Sequence, residues 1–328
     1  FLPLLFLSEK DAVAVTRLPD PSYLESLENI LARPLPELHC LDEDEIKSSF
    51  HKVRSWGHSL QVEAWAHRHG LIYEMPQWQC TVDVNSKAYS FENSPKLPGS
   101  SLLKNFAEIE SWIAKGSKKK VLKSCFGVAA RGNFIVDNSL EKNKGQLLSF
   151  LEEQWEKGYP VIGEPWVKRV LDFSTQWEIT PEKEVNYLGA TQMINNKKGQ
   201  YLETIAGPEK IIFPDNILAL EKHKEEAFKL LKMISHEGYF GNIGVDAMLY
   251  VSAEDGKTIC LHPIVEVNAR QTMSFVAMRF QELTHPELCL CLSYVPNKKN
   301  NKGLLPFSLS RCNGSLQNFS RQLIFVPK

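Results

Sequence analysis

The residues Ile264-Val265-Glu266-Val267-Asn268-Ala269-Arg270 constrain this chain more than any other stretch. In an extended strand, successive side chains point to opposite faces. Glu266, Asn268 and Arg270 then share one face, and Val265, Val267 and Ala269 share the other. The apolar face can join a core. The polar face carries a carboxylate, a carboxamide oxygen and a cation in a row, and buried charge is costly without a partner. Upstream, Gly244-Val245-Asp246-Ala247-Met248-Leu249-Tyr250 reads as a second strand. Ser252 to Thr258, with Asp255-Gly256 inside it, reads as the turn between the two. Such a hairpin brings Asp246 close to Glu266 and Asn268. Two carboxylates and an amide oxygen are hard ligands of the kind magnesium takes, usually together with nucleotide phosphates. On the hairpin alone, an ion-paired strand end accounts for these residues as well as a metal site does.

A chain of 328 residues has room for one large domain or two to three smaller ones, with ample core. Its 38 basic and 39 acidic residues nearly cancel, so no broad basic field points to nucleic acid and no acidic tail to a solvating role. The opening Phe1-Leu2-Pro3-Leu4-Leu5-Phe6-Leu7 is too short to span a bilayer. It lacks a basic leader and a small-residue cleavage site, so a buried first strand is expected rather than a signal peptide. Because the chain does not start with Met, residues before Phe1 are expected. The seven cysteines are scattered through apolar segments, and Cys289 with Cys291 is a weak zinc signal. Reduced thiols in a cytoplasmic protein are the expectation. The sequons Asn313-Gly314-Ser315 and Asn318-Phe319-Ser320 have no other sign of secretion beside them.

Along the chain, Ala12 to Val15 reads as a strand and Pro19 to Asn29 as a helix with Tyr23, Leu27 and Ile30 at helical spacing. A polar helix is expected over Asp42 to Val53, and another over Ser59 to His69 with Leu60, Ala64 and Trp65 inward. This alternation is an α/β pattern. Phe91 to Ser101 looks like a linker, and Lys118-Lys119-Lys120 like a solvated approach to a strand. Asp172 to Ile179 and Asn186 to Ile194 read as strands. Leu218 to His236 is the clearest helix: Leu220, Ala227, Leu230, Leu231 and Ile234 line one side, and Gly238 caps it. The stretch from Asn297 to Gly303 reads as an exposed loop.

Two further stretches carry chemistry. Lys123 leads into Ser124-Cys125-Phe126-Gly127-Val128-Ala129-Ala130-Arg131-Gly132. A lysine before a loop of small residues can clamp phosphates, since small side chains let backbone N–H groups approach the oxygens. The loop lacks the closing Gly-Lys-Ser/Thr of a Walker A sequence. Next, Glu164-Pro165-Trp166-Val167 can cross between two subdomains and offer backbone groups to an adenine edge, and Asp172 can accept from ribose hydroxyls. Standing alone, this stretch is explained as well by an edge segment broken by Pro165 with a surface aspartate. His262 could serve as a base but is expected to be structural, and a substrate contact at His58 is left open.

The order of these elements resembles the ATP-grasp superfamily, and more closely its uncharacterised or peptide-ligase-like bacterial members. The motifs are Asn85-Ser86-Lys87, Lys123 with Ala130-Arg131-Gly132, Glu164-Pro165-Trp166, Asp172-Phe173-Ser174, Gly244-Val245-Asp246, and Glu266-Val267-Asn268-Ala269-Arg270-Gln271-Thr272-Met273. Trp56-Gly57-His58 is similar to a Trp-Gly motif of the family's N-terminal domain. The resemblance implies a fold that is α/β and α+β: an N-terminal open α/β domain over residues 1–85, then an ATP-grasp module of two α+β subdomains, 86–165 and 166–280, with an extension over 281–328. It implies that Lys87 and Lys123 bind nucleotide phosphates. Glu164 and the backbone at Trp166 and Val167 would hold adenine, and Asp172 ribose. Asp246, Glu266 and Asn268 would bind Mg2+. Arg270 would face the γ-phosphate or a developing acyl phosphate, and Arg131 could do likewise from the lid loop.

The implied activity is an ATP-dependent carboxylate–amine ligase. Its partners would be a small-molecule or peptide carboxylate and an amine, with no nucleic acid and no membrane; a homodimer is left open. A kinase-like phosphotransferase and a non-catalytic nucleotide-binding module are the alternatives. Ala129 and Ala130 stand where the family favours Ser and Gly, and Gln271 and Ser274 where Tyr and Gly are more usual. These departures bear on the lid and the acceptor site but remove no proposed metal ligand.

Overall fold

The apolar opening is a 3-10 turn over Leu2–Leu5, not a strand, in the computed structural model. That structure describes residues 2–41, 50–116, 119–127, 132–137, 140–196, 199–293, 311–312, 315–316 and 322–326. Pro3 fixes φ and has no amide to give to a ladder, which suits a turn better than a strand interior. Leu4 and Leu5 are still fully buried. Strand β1 (Ala12–Val15), helix α1 (Pro21–Leu31) and strand β2 (Glu37–Cys40) form a unit whose two strands pair in parallel. Pro21 opens α1, where its missing N–H would have no helical partner. Tyr23, Leu27 and Leu31 turn inward.

The helix expected over Asp42 to Val53 falls mostly on residues 42–49, outside the described residues. Lys52–Val53 is a short strand, β3, parallel to β4 (Ile72–Tyr73), with α2 (Leu60–Arg68) between them. Ser59 caps α2 by accepting from the Val62 amide. Its inward pair is Trp65 and Ala66, whereas Leu60 is 53% exposed and Ala64 is exposed too. The bulk of Trp65 sets the face, because it fills the space between Leu41, Phe50, Val53 and Leu71.

Helices α3 (Trp78–Asn85) and α4 (Lys87–Asn93) follow, so the expected linker is helical over its first residues. Then come β5 (Ser101–Leu103), α5 (Phe106–Ala114), β6 (Lys120–Ser124), β7 (Asn133–Val136), α6 (Lys144–Glu156) and β8 (Val161–Pro165). The strands make an antiparallel sheet in the order β5-β8-β6-β7, with Leu103, Ile109, Leu122, Leu151 and Val161 in its core. Lys120, expected in solvent, is 3% exposed. Its ammonium donates to the carbonyls of Trp112 and Ile113 at 2.6 and 2.7 Å, and to that of Lys115. These are the last carbonyls of α5 and its cap, which lack helical partners and attract a cation.

The larger sheet comprises β9 (Lys168–Ile179), β10 (Val185–Asn195), β11 (Tyr201–Ala206), β12 (Gly241–Val251), β13 (Ile259–Asn268) and β14 (Cys289–Ser293). Beyond it, β15 (Arg311–Cys312) pairs with β16 (Ser315–Leu316), and β17 (Gln322–Val326) joins the sheet. The strand order is β13-β12-β9-β10-β11-β14-β17. Helix α7 (Glu209–Ile212) leads to α8 (Ile217–His236), and α9 (Met273–Thr284) follows β13. Leu220, Ala227, Leu230, Leu231 and Ile234 of α8 are each at most 2% exposed, as their spacing implies. Gly238 ends that helix at φ +99°, a conformation that favours glycine.

Strand β13 lies at the sheet edge, yet helices α3 and α4 cover it. The Ser90 hydroxyl accepts from the Val267 amide at 3.2 Å. Among the described residues, no helix is long and apolar enough to cross a membrane. The exposed loop expected over Asn297 to Gly303 and the asparagines of both sequons lie outside the described residues.

Candidate functional site

The hairpin of β12 and β13 closes through the Ser252 amide, which donates to the Thr258 carbonyl at 2.8 Å. Gly256 sits at φ +66°, and the Asp255 carboxylate accepts from the amides of Lys257 and Thr258, both at 2.9 Å. From there the strands pair regularly as far as Met248 opposite His262. Carried on unchanged, that register would set Asp246 against Ile264. An irregularity beside Pro263 shifts the pairing by two residues and sets Asp246 against Glu266, and Gly244 against Asn268. An even shift keeps every side chain on its own face.

Asp246 and Glu266 thus face each other across the two strands, both half-buried. Asn268 donates to the Asp246 carboxylate at 3.2 Å, and Arg270 donates through its guanidinium to the Asn268 oxygen at 2.6 Å. Burial, with the facing Glu266 charge, pushes the Asp246 carboxyl up to about 7. Burial also acts on Glu266, but the ammonium of Lys87, 2.8 Å away, holds that carboxyl below its usual range.

Lys87 is the first residue of α4, and it also donates to the Gly127 carbonyl at 3.1 Å. Lys123, on β6, pairs with Glu164 on β8 at 2.6 Å, with 9% of each side chain exposed. Lys123 keeps the buried Glu164 carboxyl below its ordinary value. One small cavity is lined by Lys87, Lys123, Glu164 and His262, so it connects the two ion pairs. A second has Lys123 and Glu164 beside the apolar side chains of Val121, Trp166, Val167 and Met248. It shares Trp166, Val167 and Arg169 with an open groove of about 600 Å3 that includes Asp172. The Asp172 carboxylate accepts from Arg169 at 3.1 Å and from Asn195 at 2.9 Å. The Trp166 amide is bonded to the Lys119 carbonyl at 3.0 Å, and the Lys119 ammonium lies 4.4 Å from the Trp166 ring centre.

Arg131 lies outside the described residues, as do Val128, Ala129 and Ala130. Where the loop closes, the Ser124 amide donates to the Gly132 carbonyl at 2.8 Å. Gly132 has φ +84°, and a methyl there would overlap the Ser124 hydroxyl. His58 contacts the Pro76 carbonyl at 2.8 Å and the Glu63 carboxylate at 3.4 Å, with 2% of its side chain exposed; it is a satisfied structural histidine. His262 is buried, and that burial lowers its ring to about 4, so it is neutral beside Glu164.

Sequence reasoning assigned no role to the residues that brace Asp246. The Ser174 hydroxyl is bonded to the Asp246 carboxylate and accepts from the Gln176 amide at 2.9 Å. The Gln176 oxygen in turn accepts from Thr272 at 2.6 Å. All three are buried. Ser174 and Thr272 stand in motifs quoted above, so their type was visible; Gln176 had only its alternation on β9 to mark it.

No family model matches the chain. A curated relative, the [butirosin acyl-carrier protein]–L-glutamate ligase of Niallia circulans, is 29% identical over 163 residues, half of this chain. The match spans 35% of that relative's own length. Among solved structures, the biotin carboxylase of Campylobacter jejuni with an ATP analogue aligns over 96% of this chain and 81% of its own, with a TM-score of 0.61 and 12% identity. The ADP complex of N5-carboxyaminoimidazole synthetase from Staphylococcus aureus aligns over 99% and 96%, with a TM-score of 0.58 and 9% identity. The biotin carboxylase domain dimer of Hydrogenobacter thermophilus 2-oxoglutarate carboxylase, with MgADP, ADP and bicarbonate, covers 84% and 70%, with a TM-score of 0.56 and 15% identity. At these identities the likeness shows the fold alone, which this chain shares with the biotin carboxylases and N5-carboxyaminoimidazole synthetase.

Proposed function

We propose that the protein is an ATP- and magnesium-dependent carboxylate–amine ligase that works through an acyl phosphate. The observation that carries this reading is the facing of Asp246 and Glu266, with Asn268 and Arg270 beside them, Lys87 in contact with Glu266, and Lys123 lining one cavity with Lys87. Among the described residues there is no cluster of three His, Cys, Asp or Glu side chains suited to a metal. The donor set is instead two carboxylates and one amide oxygen. That suits magnesium, which keeps several places for water and phosphate oxygens. Asp246, Glu266 and Asn268 would hold the cation, and its charge would offset the burial and the facing Glu266 charge that raise Asp246. Bound magnesium neutralises phosphate charge and orients the nucleotide.

Lys87 and Lys123 hold the phosphates, exchanging their carboxylate partners for them. Glu164, the Trp166 carbonyl and the Val167 backbone hold the base among Val121, Met248 and Val167. Asp172 holds ribose. A substrate carboxylate oxygen attacks the γ-phosphorus and the bond to the ADP oxygen breaks. The amine nitrogen then attacks the acyl carbon, phosphate leaves, and the amine loses a proton. Arg270, with Arg131 from the loop, meets charge on the transferring phosphoryl group, and exclusion of water protects the acyl phosphate. No protein nucleophile takes part, and reduced cysteines suit a cytoplasmic setting.

Two measurements test this. ATP with magnesium should raise thermal stability more than either alone, since a ligand of the folded state stabilises it. Phosphate release should require both a carboxylate and an amine, with the amide product identified by mass spectrometry. L-Glutamate and an acyl-carrier protein are the first pair to try, because the curated relative's name contains both. A phosphorylated product without an amine would mean a kinase, and nucleotide binding without turnover a regulatory module.

A further inference from the structure

Two sequence motifs contain residues with no part in the site above: Trp56-Gly57-His58, and Asn85 of Asn85-Ser86-Lys87. Both converge on Arg270. Strand β13 ends at Asn268, so the residues after it have no ladder to fix them. The Asn85 side chain takes over on one side of Arg270: its oxygen accepts from the Ala269 amide at 2.9 Å and its nitrogen donates to the Ala269 carbonyl at 3.4 Å. The same nitrogen donates to the Thr81 carbonyl within α3 at 2.8 Å, which fixes the Asn85 rotamer. On the other side, the Gln271 amide donates to the Trp56 carbonyl at 3.0 Å. Gly57 then lies under the arginine stem. A methyl added there would fall 3.2 Å from the Arg270 Cβ and 3.8 Å from its Cδ.

The loop that presses on Arg270 is itself braced. The Ser55 hydroxyl bonds the Gly57 carbonyl, and the Tyr73 hydroxyl lies 2.7 Å from that of Ser55 and accepts from the Ser59 amide at 2.9 Å. An arginine side chain has several rotatable bonds, and its direction follows from the backbone it leaves and the surface its stem lies on. Here both come from the N-terminal third of the chain, while the guanidinium end meets Asn268.

We propose that Trp56, Gly57 and Asn85 are positioning residues that aim the Arg270 guanidinium along the face of Asn268. Through them the N-terminal region controls phosphoryl transfer without touching nucleotide. The catalytic consequence rests on the ligase reading; the positioning itself does not.

The test uses Gly57→Ala and Asn85→Ala in the full chain. Amide hydrogen exchange at Ala269 and Gln271 should quicken by about tenfold or more in Asn85→Ala, since local opening loses a closing bond. Affinity for ATP with magnesium, read by calorimetry, should stay within about twofold in both variants, whereas kcat for phosphate release should fall by about tenfold or more at constant KM for ATP. In an Arg270→Ala background, Gly57→Ala should cost no further turnover, because residues acting through one group are not additive. Unchanged exchange in Asn85→Ala, full turnover in Gly57→Ala, or additive losses with Arg270→Ala would overturn the positioning role. If Asn85→Ala does not fold, the Gly57→Ala measurements decide alone. Wild-type protein that releases no phosphate with any carboxylate and amine would overturn the ligase reading, while the exchange measurement would still decide the positioning.

Discussion

Replacing Lys123 by Met separates what its ion pair does for the fold from what it does for nucleotide. Lys123 and Glu164 meet at 2.6 Å with 9% of each side chain exposed. At an effective dielectric near 20 their attraction is about 6 kcal/mol, and most of it offsets the burial of two charges. Without Lys123, the Glu164 carboxylate would be buried alone, and it escapes by taking up a proton. Keeping a carboxyl protonated at pH 7 against an ordinary value near 4.5 costs about 3 kcal/mol, which sets the scale of the loss in Lys123→Met.

The sign of the pH dependence follows. Glu164 is held low in the wild type, so its contribution is present above its unfolded value and is lost as pH falls. In the variant its folded value is raised instead. The gap between the two proteins therefore shrinks from about 3 kcal/mol at pH 7 to below about 1 kcal/mol at pH 5. The double variant Lys123→Met/Glu164→Gln has no buried charge and should recover to within about 1 kcal/mol of wild type. Its affinity for ATP with magnesium should not recover. Urea unfolding at both pH values, with calorimetry at pH 7, reads all of this. A single variant as stable as wild type at pH 7 would refute the buried pair, and a double variant that binds ATP normally would remove Lys123 from the nucleotide site.

Glu266→Gln should keep the fold and lose metal-dependent turnover, while Asn268→Asp, which retains an oxygen ligand, should be less damaged; magnesium titrations of phosphate release would show it, and wild-type turnover in Glu266→Gln would sink the metal assignment. Lys120→Met should cost about 1–3 kcal/mol, because three carbonyls at the end of α5 lose their donor, and leave ATP affinity within about twofold by calorimetry. The fully buried His223 contacts Thr175 and the Pro263 carbonyl, both at 2.6 Å, and burial lowers its ring to about 4. The unfolded chain then binds the extra proton between about pH 4 and 6.5, so this histidine removes about 3 kcal/mol of stability as pH falls through that window. Unfolding curves of wild type and His223→Gln should differ in slope there, and parallel curves would contradict a neutral buried imidazole.

Much of the site was legible because strand alternation is a local property. The polar face of Glu266, Asn268 and Arg270 needed only a period of two, and the shift beside Pro263 left it intact because the slip is even. Helix α8 was legible for the same kind of reason: its apolar spacing repeats over several turns and ends at a glycine. Short elements were not. The opening apolar run could be a strand or a turn by hydrophobicity, and its proline decided for the turn. Lys120 looked solvated because nothing near it in sequence says that the end of α5 folds back over it.

What the sequence determined by itself is which residue types share a face and in what order they occur: carboxylates, amide and arginine on one strand, lysines before a small-residue loop. What only the tertiary structure decided is which of them meet. The two-residue shift that sets Asp246 against Glu266, the reach of Lys87 from α4 to that pair, and the approach of Gly57 to Arg270 all depend on contacts between distant segments. Periodicity along the chain carries no information about register across it, because register follows from packing and from the turn and bulge geometry of the folded strands.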